Sequence, residues 1–129
     1  MDNDANLAIR VVAMPADTNS SGDIFGGWLM SQMDIAAWVE ARQHTSHRLT
    51  TVAMDNVVFH RPVFVGDCLL CYAKVERIGR TSITVKVDAM VERVDGGAIE
   101  QVTEAKIVMV AVGPDRQPVP IRGEAADPS

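Results

Sequence analysis

Apolar and polar residues alternate most regularly between residues 83 and 92. Ile83, Val85, Val87, Ala89 and Val91 fall on one side, and Thr84, Lys86, Asp88, Met90 and Glu92 on the other. A period of two marks a strand with one covered and one open face. Apolar, strand-forming runs at 7–13, 52–59, 69–77 and 98–112 predict four more strands. Pro62 closes the 52–59 run, and Val65-Gly66-Asp67, Ile78-Gly79-Arg80 and Asp95-Gly96-Gly97 are the turn signals that follow.

The segment from Ile24 to about Arg42 reads as the one long helix. It is apolar over most of its circumference, through Ile24, Phe25, Trp28, Leu29, Met33, Ile35, Ala36, Trp38 and Val39. Such a helix needs other structure wrapped around it. Asp23 is its predicted N-cap, accepting from the free amides of the first turn. One strand, one helix and four further strands imply an α+β chain. Successive hairpins give a meander of antiparallel neighbours, curled around the central helix as in the hotdog fold. Edge strands on so small a sheet invite pairing with a second copy, so a homodimer is expected.

Nothing divides the chain internally. Residues 1–112 read as a single domain, and 113–129, with Pro114, Pro118, Pro120 and Pro128, as an irregular tail. The 129 residues suit one domain, and the net charge of −5 argues against nonspecific nucleic-acid binding. No apolar run approaches the ~20 residues of a membrane span. The start Met1-Asp-Asn-Asp4 lacks the basic and apolar regions of a secretory leader, so a cytoplasmic setting is expected. Cys68 and Cys71 are spaced C-x-x-C, but within a strand their side chains point to opposite faces. With no second cysteine pair, they read as small hydrophobes rather than zinc ligands. His44, His47 and His60 carry no ligand pattern either, so no metal and no cofactor is expected. His44 and His47 read as cationic partners of the helix end, and His60 as a surface residue.

Asp34 is the most informative residue, because it lies in the middle of the apolar helix. An unpaired carboxylate there would be costly. Either it faces a polar gap at a subunit interface or bonds to Ser31, or it activates water or attacks a carbonyl. Gly26 and Gly27 sit in the first turn, where amides lack intrahelical partners and no side chain blocks a substrate. A developing oxyanion would be stabilised there. The bland alternative is that the pair permits close packing. In the preceding loop, Asp17 is expected to form an Asx-turn, whereas Asn19 offers an amide to a water or carbonyl.

Several stretches together resemble the YciA-type bacterial acyl-CoA thioesterases, within the larger hotdog acyl-CoA hydrolases. They are Met14-Pro-Ala-Asp-Thr-Asn-Ser-Ser-Gly-Asp-Ile-Phe-Gly-Gly-Trp-Leu-Met-Ser-Gln-Met-Asp34, Thr51-Val-Ala-Met54, Phe59-His-Arg-Pro-Val-Phe-Val-Gly-Asp67 and Gly79-Arg-Thr-Ser-Ile-Thr-Val85. The resemblance covers about residues 7–112. It implies hydrolysis of acyl-CoA thioesters with Asp34 as catalytic carboxylate, Asn19 as site asparagine and the Gly26 amide as carbonyl-polarising donor. It implies that Asn19 of one chain faces Asp34 of its partner, within a trimer of dimers. Gly27, Arg61, Arg80, Thr81 and Ser82 resemble positions that hold the substrate and its CoA moiety. One departure is Ile35-Ala-Ala-Trp38, where the family commonly has small residues after the Asp; a bulky ring could reshape the acyl pocket.

Two other classes fit the same frame. An acyl-thioester dehydratase or hydratase would need a histidine paired with the carboxylate, and none lies between Asn19 and Asp34. A non-enzymatic acyl-CoA sensor would bind without turnover, and leaves a mid-helix Asp without a use.

Overall fold

A computed structural model describes residues 4–122. Strands β1 (Asn6–Val12), β2 (Arg48–Phe59), β3 (Cys68–Ile78), β4 (Ser82–Glu92) and β5 (Glu100–Val112) form one antiparallel sheet, and helix α1 (Gly26–Ala41) packs on it. This is the expected hotdog arrangement. The strand order is β1-β3-β4-β5-β2, so only β3, β4 and β5 form a meander. The expectation of four successive hairpin neighbours is corrected at β2, which pairs with β5 on the far edge. The reason lies in the connections. Two hairpins tie β3 to β4 and β4 to β5, whereas residues 60–67 form a longer link that spans the sheet. The other flank of β3 is already taken by β1.

The alternation in β4 is realised as predicted. Ile83, Val85, Val87, Ala89 and Val91 are all buried beneath the helix, with Ala105, Ile107, Met109 and Ala111 of β5 beside them. From the helix, Leu29, Met33, Ala36, Ala37 and Ala41 enter this core. Three alanines on that face let the helix axis approach the sheet closely, and the burial supplies the main driving force. Asn6 Nδ2 of β1 donates to both carboxylate oxygens of the buried Glu40, at 3.1 and 3.2 Å, which ties the β1 edge to the helix.

The helix starts later than predicted. Phe25 is the N-cap residue and makes no side-chain cap, so Asp23 does not cap the helix. Ile24 is buried and extended instead, with its amide donating to the Val63 carbonyl at 3.0 Å. That tertiary bond delays the first turn by two residues. Nor is the whole circumference covered: Phe25, Ile35 and Trp38 remain exposed in the single chain.

From Gly113 the chain turns back along the sheet. Val119 donates to Ala111, Ile121 donates to the Arg80 carbonyl, and Ile121 is buried in the core. The tail expected as irregular is thus tied down through Ile121, and its remainder, 123–129, lies outside the described residues.

The connection between β2 and β3 is braced by a buried ion pair. Asp67 is 1% exposed; it accepts from the amides of Phe64 and Val94 and from Arg93 Nη1 at 2.8 Å. Arg93 also donates to the Pro62 carbonyl and to Glu100. Burial works against the charge on Asp67, but those donors outweigh it and hold its pKa below the ordinary carboxylate value. Gly66, at φ 92, packs so close to Val94 that a Cβ would sit 2.9 Å from a Val94 methyl.

Candidate active site

Asp34 emerges from the flank of α1 toward β2. It is half-buried, and Thr51 Oγ1 donates to its Oδ1 at 2.6 Å. Ser31, the local partner considered from the sequence, donates to the Trp28 carbonyl instead. A short bond from a hydroxyl to a carboxylate is a strong, charge-assisted one. It holds one carboxylate oxygen still, and the other accepts no hydrogen bond among the described residues. This end of β2 is reached because Thr51 pairs with Met109 of β5, on the face that carries the helix. Asp34, Ile35, Trp38, Leu49, Thr51 and Met109 line a groove of about 430 Å³. Thr51 escaped the sequence reading as a site residue; nothing local links positions 34 and 51.

A second groove of about 340 Å³ opens at the start of the helix, and it holds Asn19, Gly26, Phe59, His60 and Arg61. The amides of Gly26 and Gly27 donate to no acceptor among the described residues. A Cβ on Gly26 would meet the Phe59 ring at 3.5 Å, ordinary contact, so the ring lies over that turn. Phe59 is a lining residue that sequence reasoning missed as such, although it begins a quoted motif. Gly27 is exposed, with open space around it, and borders neither groove.

The Asn19 side chain is oriented by its own loop. The Ser21 and Asp23 amides both donate to its Oδ1, at 2.9 and 3.1 Å. Two N–H groups aimed at one atom identify it as the oxygen. The Nδ2 group has no partner among the described residues and is available as a donor. Gly22, at φ 89, supplies the left-handed residue this turn requires. The Asx-turn expected at Asp17 is formed by Asn19 instead; Asp17 accepts from the amide of Met14, three residues before it.

The proposed CoA-holding residues are split. Arg61 lines the second groove, but its guanidinium donates to the Gln101 carbonyl at 3.1 Å and lies 3.9 Å from Glu100. Arg80 and Thr81 lie in the β3–β4 turn and Ser82 opens β4, and none borders either groove; the Arg80 and Thr81 carbonyls accept from Ile121 and Ala111. His60 is half-exposed and bonds Glu104 at 2.7 Å. That bond, against the cost of burial and with help from Lys86, keeps the Glu104 pKa low. Cys71 is buried in the core, and burial pushes its thiol up to about 12.

Within one chain the two grooves share no lining residue. Asp34 follows Gly26 by eight residues, roughly 12 Å along the helix axis at 1.5 Å per residue. A carbonyl held by the Gly26 amide is therefore out of reach of the same chain's Asp34.

The thioesterase superfamily model matches residues 21–97. The chain is 46% identical to the acyl-CoA thioester hydrolase YciA of Salmonella typhimurium over 126 residues, covering 94% of this chain and 95% of that protein. It is 45% identical to the Escherichia coli protein of the same name, with 88% of each chain covered. Among solved structures, a hexameric thioesterase of Yersinia pestis superposes with a TM-score of 0.87 at 43% identity, covering 92% of this chain and 96% of that one. A hexameric hotdog-fold thioesterase of Campylobacter jejuni gives 0.86 at 43% identity, covering 93% and 92%. With nearly its whole length matched, the chain belongs to the thioesterase superfamily, among the YciA-type acyl-CoA thioester hydrolases.

Proposed function

We propose that this protein hydrolyses acyl-CoA thioesters at sites shared between two protomers, with Asp34 of one acting on a thioester held by Asn19 and Gly26 of the other. The observation that carries this reading is the separation of the two half-sites along one helix. Strand β2 supplies a way to join them. It is a 12-residue edge strand, exposed along most of its length, with no partner on its outer side among the described residues. Antiparallel pairing of β2 with β2 of a second copy would extend the sheet about a two-fold axis. The Thr51 end of one strand would then lie toward the Phe59 end of the other. Asp34, beside Thr51, would approach Gly26, beside Phe59.

The chemistry asked of this site is modest. The Gly26 amide and helix dipole polarise the thioester carbonyl. Asp34 either takes a proton from water as that water attacks, or attacks the carbonyl itself to give an anhydride that water opens. In both routes the carbon–sulfur bond breaks. CoA leaves as thiol and the acyl group as a carboxylic acid. The route uses no metal or cofactor. Arg61 and the Arg80–Ser82 turn remain candidates for the nucleotide end, with a partner copy completing their surroundings. A trimer of such dimers matches the hexamers named for the Yersinia and Campylobacter relatives. The cytoplasmic setting expected from the sequence belongs to this proposal, and cell fractionation checks it.

The test is thiol release from saturated acyl-CoAs by wild type and Asp34→Asn. The substitution should lower kcat by on the order of 100-fold or more with the fold intact. Mixing Asp34→Asn with Asn19→Ala chains should restore part of the activity, because some dimers regain one complete site. Absence of recovery despite proven subunit exchange would reject the shared site. CoA binding without turnover by wild type would favour a sensor.

A further inference from the structure

The groove beside Asp34 shares a wall with a neighbouring groove. Trp38 follows Asp34 by one helical turn and stands 41% exposed on the same flank. On its far side lies another groove, of about 450 Å³, lined by Arg42, Thr45, Ser46, His47 and Arg48. Only Trp38 and Leu49 line both. The two spaces differ in chemistry. Beyond Asp34, Thr50 and Thr51, the first is walled by Ile35, Trp38, Leu49 and Met109. The second is polar and cationic. The ring is also held in place: the Arg42 guanidinium sits 4.5 Å from its centroid, and Arg42 has no carboxylate partner among the described residues.

We infer that Trp38, pinned by Arg42, is the end wall of the acyl pocket and limits the enzyme to short acyl chains. This rests on the reading of Asp34 as the catalytic carboxylate. A carbonyl at Asp34 directs its alkyl chain along the apolar wall toward the indole. A longer chain would have to displace the ring or enter the cationic groove, where its methylenes lose apolar contact. Removing the ring merges the two spaces.

The experiment compares kcat/KM for butanoyl-CoA and dodecanoyl-CoA in wild type, Trp38→Ala and Arg42→Gln, with oligomeric state followed by light scattering. Wild type should favour the butanoyl ester. Trp38→Ala should shift the ratio toward the dodecanoyl ester by on the order of tenfold or more. Arg42→Gln should shift it the same way by less, since the ring stays but is freed. An unchanged ratio in active, normally assembled Trp38→Ala overturns the inference. So does loss of assembly and activity together, which would make Trp38 an interface residue. Wild-type turnover retained in Asp34→Asn would instead remove the reading on which the inference rests.

Discussion

Replacing Thr51 by Val removes one hydroxyl and little else, since both side chains are β-branched. The lost bond is the 2.6 Å donation to Asp34 Oδ1. A hydrogen bond to a charged group contributes roughly 1.5–3 kcal/mol. Thr51 is exposed and Asp34 only half-buried, so water can replace part of it. That puts the loss just below this range, at about 1.4 kcal/mol, or tenfold in kcat/KM. The loss should fall mainly on kcat, because the bond orients the reacting carboxylate rather than the CoA moiety. Thr51→Ser keeps the donor and should stay within about threefold of wild type. Thermal stability should change little in either variant, as an exposed edge position carries few packing contacts. Thiol release with a short acyl-CoA measures the contrast. Equal kcat/KM for the Val and Ser variants would refute the claim that Thr51 positions Asp34.

Two further predictions concern the frame around the site. Asp67→Asn should destabilise the protein by about 2–3 kcal/mol at neutral pH, below the ~3–5 kcal/mol of a fully buried pair because Arg93 keeps Glu100. The Asp67 pKa is lowered on folding, so the pair's stabilisation is complete above the ordinary carboxylate value near about pH 4 and is lost as pH falls through the lower folded value. Urea unfolding across that range should show a shallower acid decline in the variant, and parallel curves would remove Asp67 from the acid response. Cys71, with its thiol pushed up to about 12, should resist alkylation near neutral pH in the native protein and react once it is unfolded. Rapid native labelling of Cys71 would show that strand β3 opens readily.

Much of this protein is decided locally. The period of two in β4 reappears residue for residue as the buried row Ile83 to Val91, because alternation is a property of the strand itself. The helix and the turns were legible for the same reason, and Asn19, Gly26 and Asp34 stood out as candidates by their place in a loop or helix, with the family motifs implying their roles. What the chain could not declare were long-range choices. Asp23 has the chemistry of an N-cap, yet Val63 claims the Ile24 amide and moves the helix start. β2 looks like a meander strand, yet pairs with β5 because the connections carry it to the far edge. Thr51 is an ordinary strand residue until the fold sets it beside Asp34. Likewise, only the packed helix shows that Asn19 and Gly26 lie in one groove and Asp34 in another. Periodicity and capping act over a few residues, so a sequence records them directly. Pairing partners and site geometry depend on contacts tens of residues apart, which exist only once the core has formed.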